Sequence, residues 1–226
     1  METKELNGNG KIVGDHIYVL YLDEVLAFSL PMIGPSYFDV EMSVIDACRQ
    51  FRATTGQIFS LVDLALQNPD EKHCKNILSK FKDSCFWTST ENLLGKEDII
   101  IYDNVNGNMP PDRDSLVKRH KNGDRAVRIV PYGFQTERQS VEEFLKNPYL
   151  IAQIGNKNML DVVERVVKGV SKNKPYVRAL NPTQEDIKKY TAMNSSWLDN
   201  GLTLVGNCEG YDGSGFAFMF RNANAL

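Results

Sequence analysis

The apolar residues of the first hundred positions change their spacing along the chain. Two short apolar runs, 17–22 and 25–30, are separated by Asp23-Glu24, and their β-branched and aromatic residues favour two strands joined by a tight turn. Apolar residues then recur at helical spacing after Ser36, over 55–67 and around 74–81. We therefore predict a hairpin followed by three helices in series.

The first of these helices has an apolar stripe that we expect to face the core. The stripe consists of Tyr37, Val40, Val44, Cys48 and Phe51. Cys74 occupies the same kind of position on the third helix. Because a cysteine on an apolar face usually packs as a small hydrophobe, Cys48 and Cys74 are predicted to be buried and structural.

Two strands, at 85–90 and 98–102, follow the helices. We interpret the polar triplet Thr88-Ser89-Thr90 as part of an exposed strand face. Residues 103–111 then combine three asparagines, one glycine and two adjacent prolines, a composition typical of a loop. This loop is the candidate domain boundary or functional loop.

The second half alternates short strands and helices. A helix begins after the cap Asp112, and another begins at the capping box 140–143 and ends at Asn147-Pro148. The other predicted elements are strands at 126–130, 149–154 and 176–180, helices at 157–172 and after Thr183, and a final pair of strands at 202–205 and 216–220 with a glycine-rich connection. Strands that alternate with helices over 126–180 indicate βαβ units.

These elements predict an α+β fold. We expect a mixed sheet with flanking helices, a helix-rich N-terminal half and a βαβ-like C-terminal half. The halves, 1–102 and 112–226, meet at the loop 103–111. Because the terminal hairpins could join one sheet and the loop is short for a linker, we expect 1–226 to be a single domain, with two domains as the alternative.

Composition and charge exclude several classes of protein. The 226 residues are 42% hydrophobic, 24% charged and 10% aromatic, unlike a disordered, collagen-like or coiled-coil chain. The net charge of −3 gives no global positive field that would attract nucleic acid.

The sequence also bears on compartment. The apolar stretch 17–33 contains Asp23, Glu24 and Pro31, so we predict no membrane-spanning helix. Residues 1–11 lack the apolar segment of a secretory signal, and the four cysteines show no C-x-x-C spacing. We expect a soluble cytoplasmic protein with free thiols.

One cysteine lies in a glycine motif. Residues 206–210, Gly-Asn-Cys-Glu-Gly, match the G-x-C-x-G form of a nucleophile elbow and would make Cys208 a nucleophile. The match is incomplete, because a strand rather than a helix is predicted next and all three histidines precede the cysteine. Cys208, His120 and Asp103 are therefore weak catalytic candidates, and a thiol in a glycine-rich turn is the alternative.

Acidic residues near the loop are weak candidates for metal binding. They are Asp103, Asp112 and Asp114. A calcium-loop alignment on Gly107 fails, since it puts Tyr102 and Arg113 where the two acidic anchors are needed. The three aspartates could still converge on Mg²⁺, although Asp112 is better explained as a helix cap. We predict no bound metal and no cofactor.

The segment 113–128 is a local departure from a mildly acidic chain. Its positive residues are Arg113, Lys118, Arg119, His120, Lys121, Arg125 and Arg128. They could contact phosphates, but Asp114 and Asp124 interleave with them and no aromatic platform lies inside the segment. A solvated helix face is the alternative.

No catalytic motif is complete, and the sequence leaves open whether the protein is an enzyme. We expect a non-catalytic domain that binds a protein or a small anionic ligand. The candidate ligand-binding residues are Tyr102, Asn104, Arg113, Lys118, Arg119, Lys121 and Arg125. The alternatives are a hydrolase acting on a small or phosphorylated substrate and a nucleic-acid-binding protein that uses 113–128.

Overall fold

Two β-sheets and seven α-helices make up the part of the chain that the computed structural model describes. The described residues are 3–8, 10–109, 112–178, 180–196, 201–209 and 215–222. The strands are β1 Thr3–Glu5, β2 Lys11–Val13, β3 His16–Tyr21, β4 Glu24–Ser29, β5 Ile33–Ser36, β6 Phe51–Arg52, β7 Cys85–Leu94, β8 Asp98–Asp103, β9 Val127–Pro131, β10 Tyr176–Val177, β11 Ile187–Ser196, β12 Gly201–Cys208, β13 Gly215–Ala217 and β14 Met219–Asn222. The helices are α1 Phe38–Ala47, α2 Thr55–Gln67, α3 Lys72–Asp83, α4 Arg113–Lys121, α5 Val141–Lys146, α6 Pro148–Ile154 and α7 Leu160–Val170, with a 3-10 turn at Lys157–Met159 before α7.

The smaller sheet has six strands in the order β1-β2-β3-β4-β14-β6. Strands β1 to β4 form an antiparallel meander, in which Tyr21 pairs with Glu24 across a two-residue turn. The predicted hairpin is confirmed. Strand β14 comes from the far end of the chain and pairs with both β4 and β6.

The larger sheet is built around β7. Its main path is β10-β12-β11-β7-β13-β5, and β8 pairs with β7 and with β9. The β10–β12 and β13–β7 pairs are parallel, and the other pairs are antiparallel. The predicted α+β class with a mixed sheet is therefore confirmed.

The main core lies where α2, α3 and α7 pack against each other and against the sheets. α2 begins at a capping box, because the Thr54 hydroxyl accepts from the Gln57 backbone and the Gln57 side chain accepts from the Thr54 backbone. Nearly all of α2 is buried, and it contacts α3, α6, α7 and β3. The core cluster extends from Ile12 to Phe220 and so contains side chains of both halves.

Helix content does not distinguish the two halves. Residues 1–102 carry α1 to α3 among eight strands, and the described part of 112–226 carries α4 to α7. The expected helix-rich N-terminal half is not confirmed. Among the described residues, no helix combines the length and the apolar character needed to span a bilayer.

The predicted strand at 149–154 is wrong, because this segment is α6. The Asn147 side chain accepts a 2.9 Å hydrogen bond from the backbone of Tyr149, Pro148 occupies the first helical position, and Gly155 ends the helix with a φ of 72°. Asn147-Pro148 thus begins a helix as well as ending α5. The βαβ interpretation of 126–180, which needed a strand here, is not confirmed.

The predicted helix after Thr183 is also wrong. The Thr183 hydroxyl donates to the backbone oxygen of Leu94 at 2.9 Å, and the chain then enters β11 at Ile187, between β7 and β12. The predicted pairing of 202–205 with 216–220 does not occur. β12 pairs with β10 and β11, whereas β13 and β14 enter different sheets. The glycine-rich connection at 210–214 lies outside the described residues.

Candidate ligand-binding cleft

A polar cleft of about 650 Å³ opens between the β3–β4 turn, α2 and α7. The turn contributes Leu22 and Asp23. Polar side chains from the helices and from the segment before α7 form the other walls, and they are Ser60, Asp63, Gln67, Asn156, Asn158 and Arg165. Arg125, from the basic segment 113–128, also lines the cleft, together with the apolar residues Val19, Leu20, Leu64, Met159 and Val162.

Asp63 and Arg165 form an ion pair within the lining of the cleft. Arg165 Nε lies 3.0 Å from Asp63 Oδ1 and its terminal nitrogen lies 2.8 Å from Oδ2, which is a two-pronged contact. Gln67 Nε2 donates to the same carboxylate at 3.0 Å. The hydrogen bond to Asp63 raises the pKa of Arg165, so the guanidinium stays charged. Both charges are therefore already neutralised within the protein.

Arg125 differs from Arg165. Its side chain is exposed and forms no ion pair with any residue of the described ranges. Asn156 is held in place because its side-chain oxygen accepts a 2.9 Å hydrogen bond from the backbone of Asn158. The cleft thus presents one uncommitted guanidinium beside side-chain amides.

The sequence-predicted ligand residues divide into two groups. Arg113 forms ion pairs with Asp98 and, at 3.2 Å, with Asp186. Arg119 pairs with Asp124 at 2.7 Å. Both guanidinium groups are therefore already paired with carboxylates. In contrast, Lys118, Lys121 and Arg125 form no ion pair with the residues that the structure describes, and of these three only Arg125 lines the cleft.

Tyr102 and Asn104 lie inside the protein. Tyr102 is fully buried, and burial together with the Glu91 carboxylate raises its pKa. Asn104 Nδ2 donates to Glu91 Oε1 at 3.0 Å, and Asn104 Oδ1 accepts from the backbone of Met109 at 2.9 Å. The asparagine therefore fixes the loop 103–111, of which Pro110 and Pro111 lie outside the described residues.

The acidic candidates have separate roles in the fold. Asp103 forms an ion pair with Arg128 and accepts from the Thr90 hydroxyl at 2.8 Å. Asp112 caps α4 by accepting from the Ser115 backbone at 2.8 Å, and this hydrogen bond lowers its pKa. Asp114 is exposed in the first turn of the same helix. No group of three or more metal-ligating side chains occurs among the described residues.

The catalytic candidates lie in different parts of the fold. Cys208 ends β12 and packs in a second apolar cluster with Phe38, Trp87 and Val205. His120 lies on α4, where its Nδ1 is 3.0 Å from the backbone oxygen of Val127.

No disulfide joins the four cysteines, all of which lie in the described part of the chain.

A buried polar network at the centre of the larger sheet is not anticipated from the sequence. Asn92 of β7 hydrogen bonds through Nδ2 to the Thr191 hydroxyl at 2.8 Å and to the Gly206 backbone oxygen at 3.0 Å. Its Oδ1 accepts from Gln153 at 2.7 Å and from the Tyr149 hydroxyl at 3.2 Å. The network connects three strands to α6.

The same network overturns the expectation that Thr88-Ser89-Thr90 is exposed. All three side chains are fully buried. The Thr88 hydroxyl contacts that of Thr55 at 3.1 Å, and the Thr90 hydroxyl accepts from the Thr55 backbone at 3.0 Å. Five consecutive polar residues from Thr88 to Asn92, inside an otherwise apolar strand, are the sequence signal for this network.

A second surface lies on α1. Tyr37, Val40 and Val44 are 51%, 52% and 41% exposed, and the neighbouring Phe51 is 41% exposed. The predicted core stripe is therefore wrong, and Cys48, which belongs to it, is exposed too, whereas Cys74 is buried as predicted. The opposite face of α1 is buried instead, through Phe38, Met42 and Ile45. Several large apolar side chains exposed on one helix and beside it indicate an interaction site in many proteins.

No protein-family model matches the chain, and no curated protein matches it. Its fold is similar to the C-type lectin fold. The similar solved structure is described as "Accommodation of massive sequence variation in Nanoarchaeota by the C-type lectin fold", and the two chains share 12% sequence identity with a TM-score of 0.57. The match covers 90% of this chain and 100% of the other. At this identity the similarity concerns the fold alone.

Proposed function

We propose that the protein is a non-catalytic binding domain that holds a small anionic ligand in the polar cleft. The observation that carries the proposal is Arg125, whose guanidinium has no carboxylate partner among the described residues and lines a concave site of about 650 Å³. Cavities of this size are typical of small-molecule sites. The likeness to the C-type lectin fold agrees with a binding role.

The charges of the cleft define the class of ligand. Because Arg165 is committed to Asp63, Arg125 is the group that would contact a carboxylate or phosphate. Asn156, Asn158 and Gln67 offer neutral hydrogen-bonding groups around it. Asp23, also in the lining, disfavours a ligand of high negative charge. A ligand with one anionic group and several polar groups fits this arrangement.

The alternatives receive no comparable support. A hydrolase built on Cys208 would need a base near the thiol, and the candidate His120 instead faces the backbone of Val127 on another element. A nucleic-acid surface on 113–128 would need its arginines available, and Arg113, Arg119 and Arg128 are paired with aspartates.

The proposal can be tested with a panel of small anions that comprises phosphate, succinate, glutamate and gluconate. Two-dimensional amide NMR of the full chain should show saturable shifts around Asn156 and Asn158 for at least one of them. Arg125→Gln should abolish the shifts, because it removes the cation and keeps hydrogen-bonding capacity.

Lys118→Gln is the matched control, since it removes an exposed positive charge from the same basic segment outside the cleft. It should leave binding unchanged. If Lys118→Gln abolishes binding and Arg125→Gln does not, the ligand binds on α4 and the cleft proposal is wrong. No saturable shift with any anion of the panel would also count against it.

A second candidate function is binding of a protein partner through α1. The observation that favours it is the exposed apolar face made by Tyr37, Val40, Val44 and Phe51. A photocrosslinking residue at Val44 should give one discrete adduct in cells, and Val40→Glu should remove it. The same residue at Lys121 serves as the exposed control position. An adduct at both positions, or at neither, would contradict this candidate.

A further inference from the structure

A second pocket, separate from the cleft, lies where α2, α3 and α7 meet β11. Its volume is about 340 Å³. Its apolar wall consists of Leu66, Leu78, Phe81 and Val170. None of its lining residues is shared with the cleft, although both sites border α2 and α7.

The charged residues that line this pocket are all lysines. They are Lys82 near the end of α3 and Lys168 and Lys172 around the end of α7. Lys168 is paired with Glu164 at 2.6 Å. Lys82 and Lys172 are exposed and form no ion pair with any residue that the structure describes. Two ammonium groups are therefore available beside an apolar wall.

Lys82 and Lys168 lie in the last turns of their helices, where a positive charge complements the helix dipole. The helix dipole explains the position of these lysines, but it does not explain the apolar surface between them. Leu66, Leu78 and Val170 are only partly buried. The serine hydroxyls of the lining are engaged elsewhere, because Ser195 donates to the Val170 backbone oxygen at 2.8 Å and Ser171 accepts from the Leu202 backbone at 2.7 Å. The pocket thus combines an apolar interior with a positive rim.

Gly169 opens the space between α7 and α2. A Cβ atom at this position would lie 2.7 Å from Leu66 Cδ1 and 3.0 Å from Leu66 Cδ2. Any side chain here would occupy the pocket or push Leu66 into it. The glycine sits inside a helix, where it is less favourable than alanine.

We propose that this pocket binds a medium-chain amphiphilic carboxylate. The alkyl chain lies against Leu66, Leu78 and Phe81, where apolar area is removed from water. The carboxylate lies at the rim with Lys82 and Lys172, with which its charge is complementary. A volume of about 340 Å³ is at the small end for ligand sites, which favours one medium-length chain over a long lipid.

The experiment titrates the full chain with octanoate below its micelle concentration and follows the Gly169 and Ser195 amides by NMR. Octyltrimethylammonium and octyl glucoside, with the same chain and a positive or neutral head, are the comparison ligands. Octanoate should bind saturably with shifts confined to the pocket. The cationic ligand should bind at least about tenfold more weakly, a difference of about 1.4 kcal/mol.

Two variants locate the site. Gly169→Leu should abolish octanoate binding by filling the pocket, and Lys82→Gln with Lys172→Gln should weaken it about tenfold while leaving octyl glucoside unchanged. Lys96→Gln with Lys118→Gln is the control pair of exposed lysines elsewhere. If Gly169→Leu fails to fold, the lysine pair alone decides the question.

Several outcomes would overturn the proposal. These are no saturable binding of octanoate, equal binding of the three head groups, or a loss of binding in the control pair equal to that in the pocket pair. Binding of an acidic amphipathic peptide or of phosphatidylglycerol vesicles without binding of octanoate would assign the surface to a different partner. The cleft and this pocket share no lining residue. Failure of the octanoate proposal would therefore leave the proposed anion site in the cleft untouched, and the reverse also holds.

Discussion

The side-chain nitrogen of Gln153, on α6, donates a 2.7 Å hydrogen bond to the side-chain oxygen of Asn92, in the middle of β7. With its other contacts, Asn92 uses two donor hydrogens and accepts two hydrogen bonds. A buried amide with all its partners in place costs little, whereas each lost partner leaves a buried polar group unsatisfied. The contact therefore fixes how α6 sits on the sheet.

Asn92→Asp should destabilise the protein by about 3 kcal/mol at pH 7. The new carboxylate cannot donate to the Gly206 backbone oxygen, which the asparagine contacts at 3.0 Å, and it places a charge in a buried site. Urea unfolding would measure the loss, which should shrink at pH 4 as the new group is protonated. Asn108→Asp, at an exposed position of the loop, should leave the midpoint unchanged.

Gly206→Ala should be destabilising because the Tyr149 side chain occupies the space that the new methyl group needs. A Cβ at this position would lie 1.7 Å from the Tyr149 hydroxyl oxygen. The tyrosine would have to leave its hydrogen bonds with Asn92 and Gln153, at a cost of about 1–3 kcal/mol or more. Tyr149→Phe removes that oxygen, so the double variant should lose less than the sum of the single losses in thermal unfolding. Additive losses would show that the contact is not the cause.

Glu41 predicts a dependence of stability on pH. Its carboxyl is buried against β5 and accepts from the Ser36 backbone at 2.8 Å, and burial raises its pKa to about 8 from the ordinary 4.5. Because the pKa is raised in the folded state, the contribution of Glu41 to the free energy of unfolding is greatest below pH 4.5 and is lost as pH rises towards 8. The slope contributed by this group is at most about 1.4 kcal/mol per pH unit.

Glu41→Gln should remove this contribution and raise the free energy of unfolding at pH 8. Chemical denaturation at pH 5, 6.5 and 8 would show it as a flatter profile than that of the wild type. Glu137→Gln, at an exposed position, provides the comparison and should keep the wild-type slope. A wild-type slope in Glu41→Gln would mean that the carboxyl is ionised throughout this range.

The Asp103–Arg128 pair should behave as a structural contact. Both side chains are largely buried, so Asp103→Asn should leave Arg128 without its charge partner and cost about 3 kcal/mol. Adding Arg128→Met to Asp103→Asn should recover much of this loss, which a double-mutant cycle of urea unfolding free energies would measure.

Added Mg²⁺ should not raise the unfolding midpoint of the wild type, whereas a rise would support the metal candidates Asp103, Asp112 and Asp114.

The sequence predicted those elements whose hydrophobic pattern is compatible with only one type of secondary structure and one buried face. The hairpin of β3 and β4 followed from a tight turn between two apolar runs, and α2 from a long apolar stripe. Helix α1 offered two apolar faces, because Phe38, Met42 and Ile45 are spaced like Tyr37, Val40 and Val44. Which face is buried depends on Trp87 and Ala217, which come from distant parts of the chain. Periodicity alone could not choose between them.

The candidate cleft was only partly accessible to sequence reasoning. Arg125 was identified because positive charge is concentrated in 113–128. Asp63 and Arg165 were not identified, because they are far apart in the chain and neither belongs to a recognisable sequence motif. Ion pairing likewise removed Arg113 and Arg119 from the available charges, and their partners Asp98 and Asp124 are recognisable only once the chain is folded.

Strands β13 and β14 are separated by the single residue Phe218, yet β13 joins the larger sheet and β14 joins the smaller one. During synthesis, β4 and β6 leave the ribosome long before the strand that must lie between them. Their backbone groups stay open to other chains until that strand arrives. We therefore expect newly made chains that lack residues 215–222 to aggregate more readily, and to need chaperones more, than the full chain.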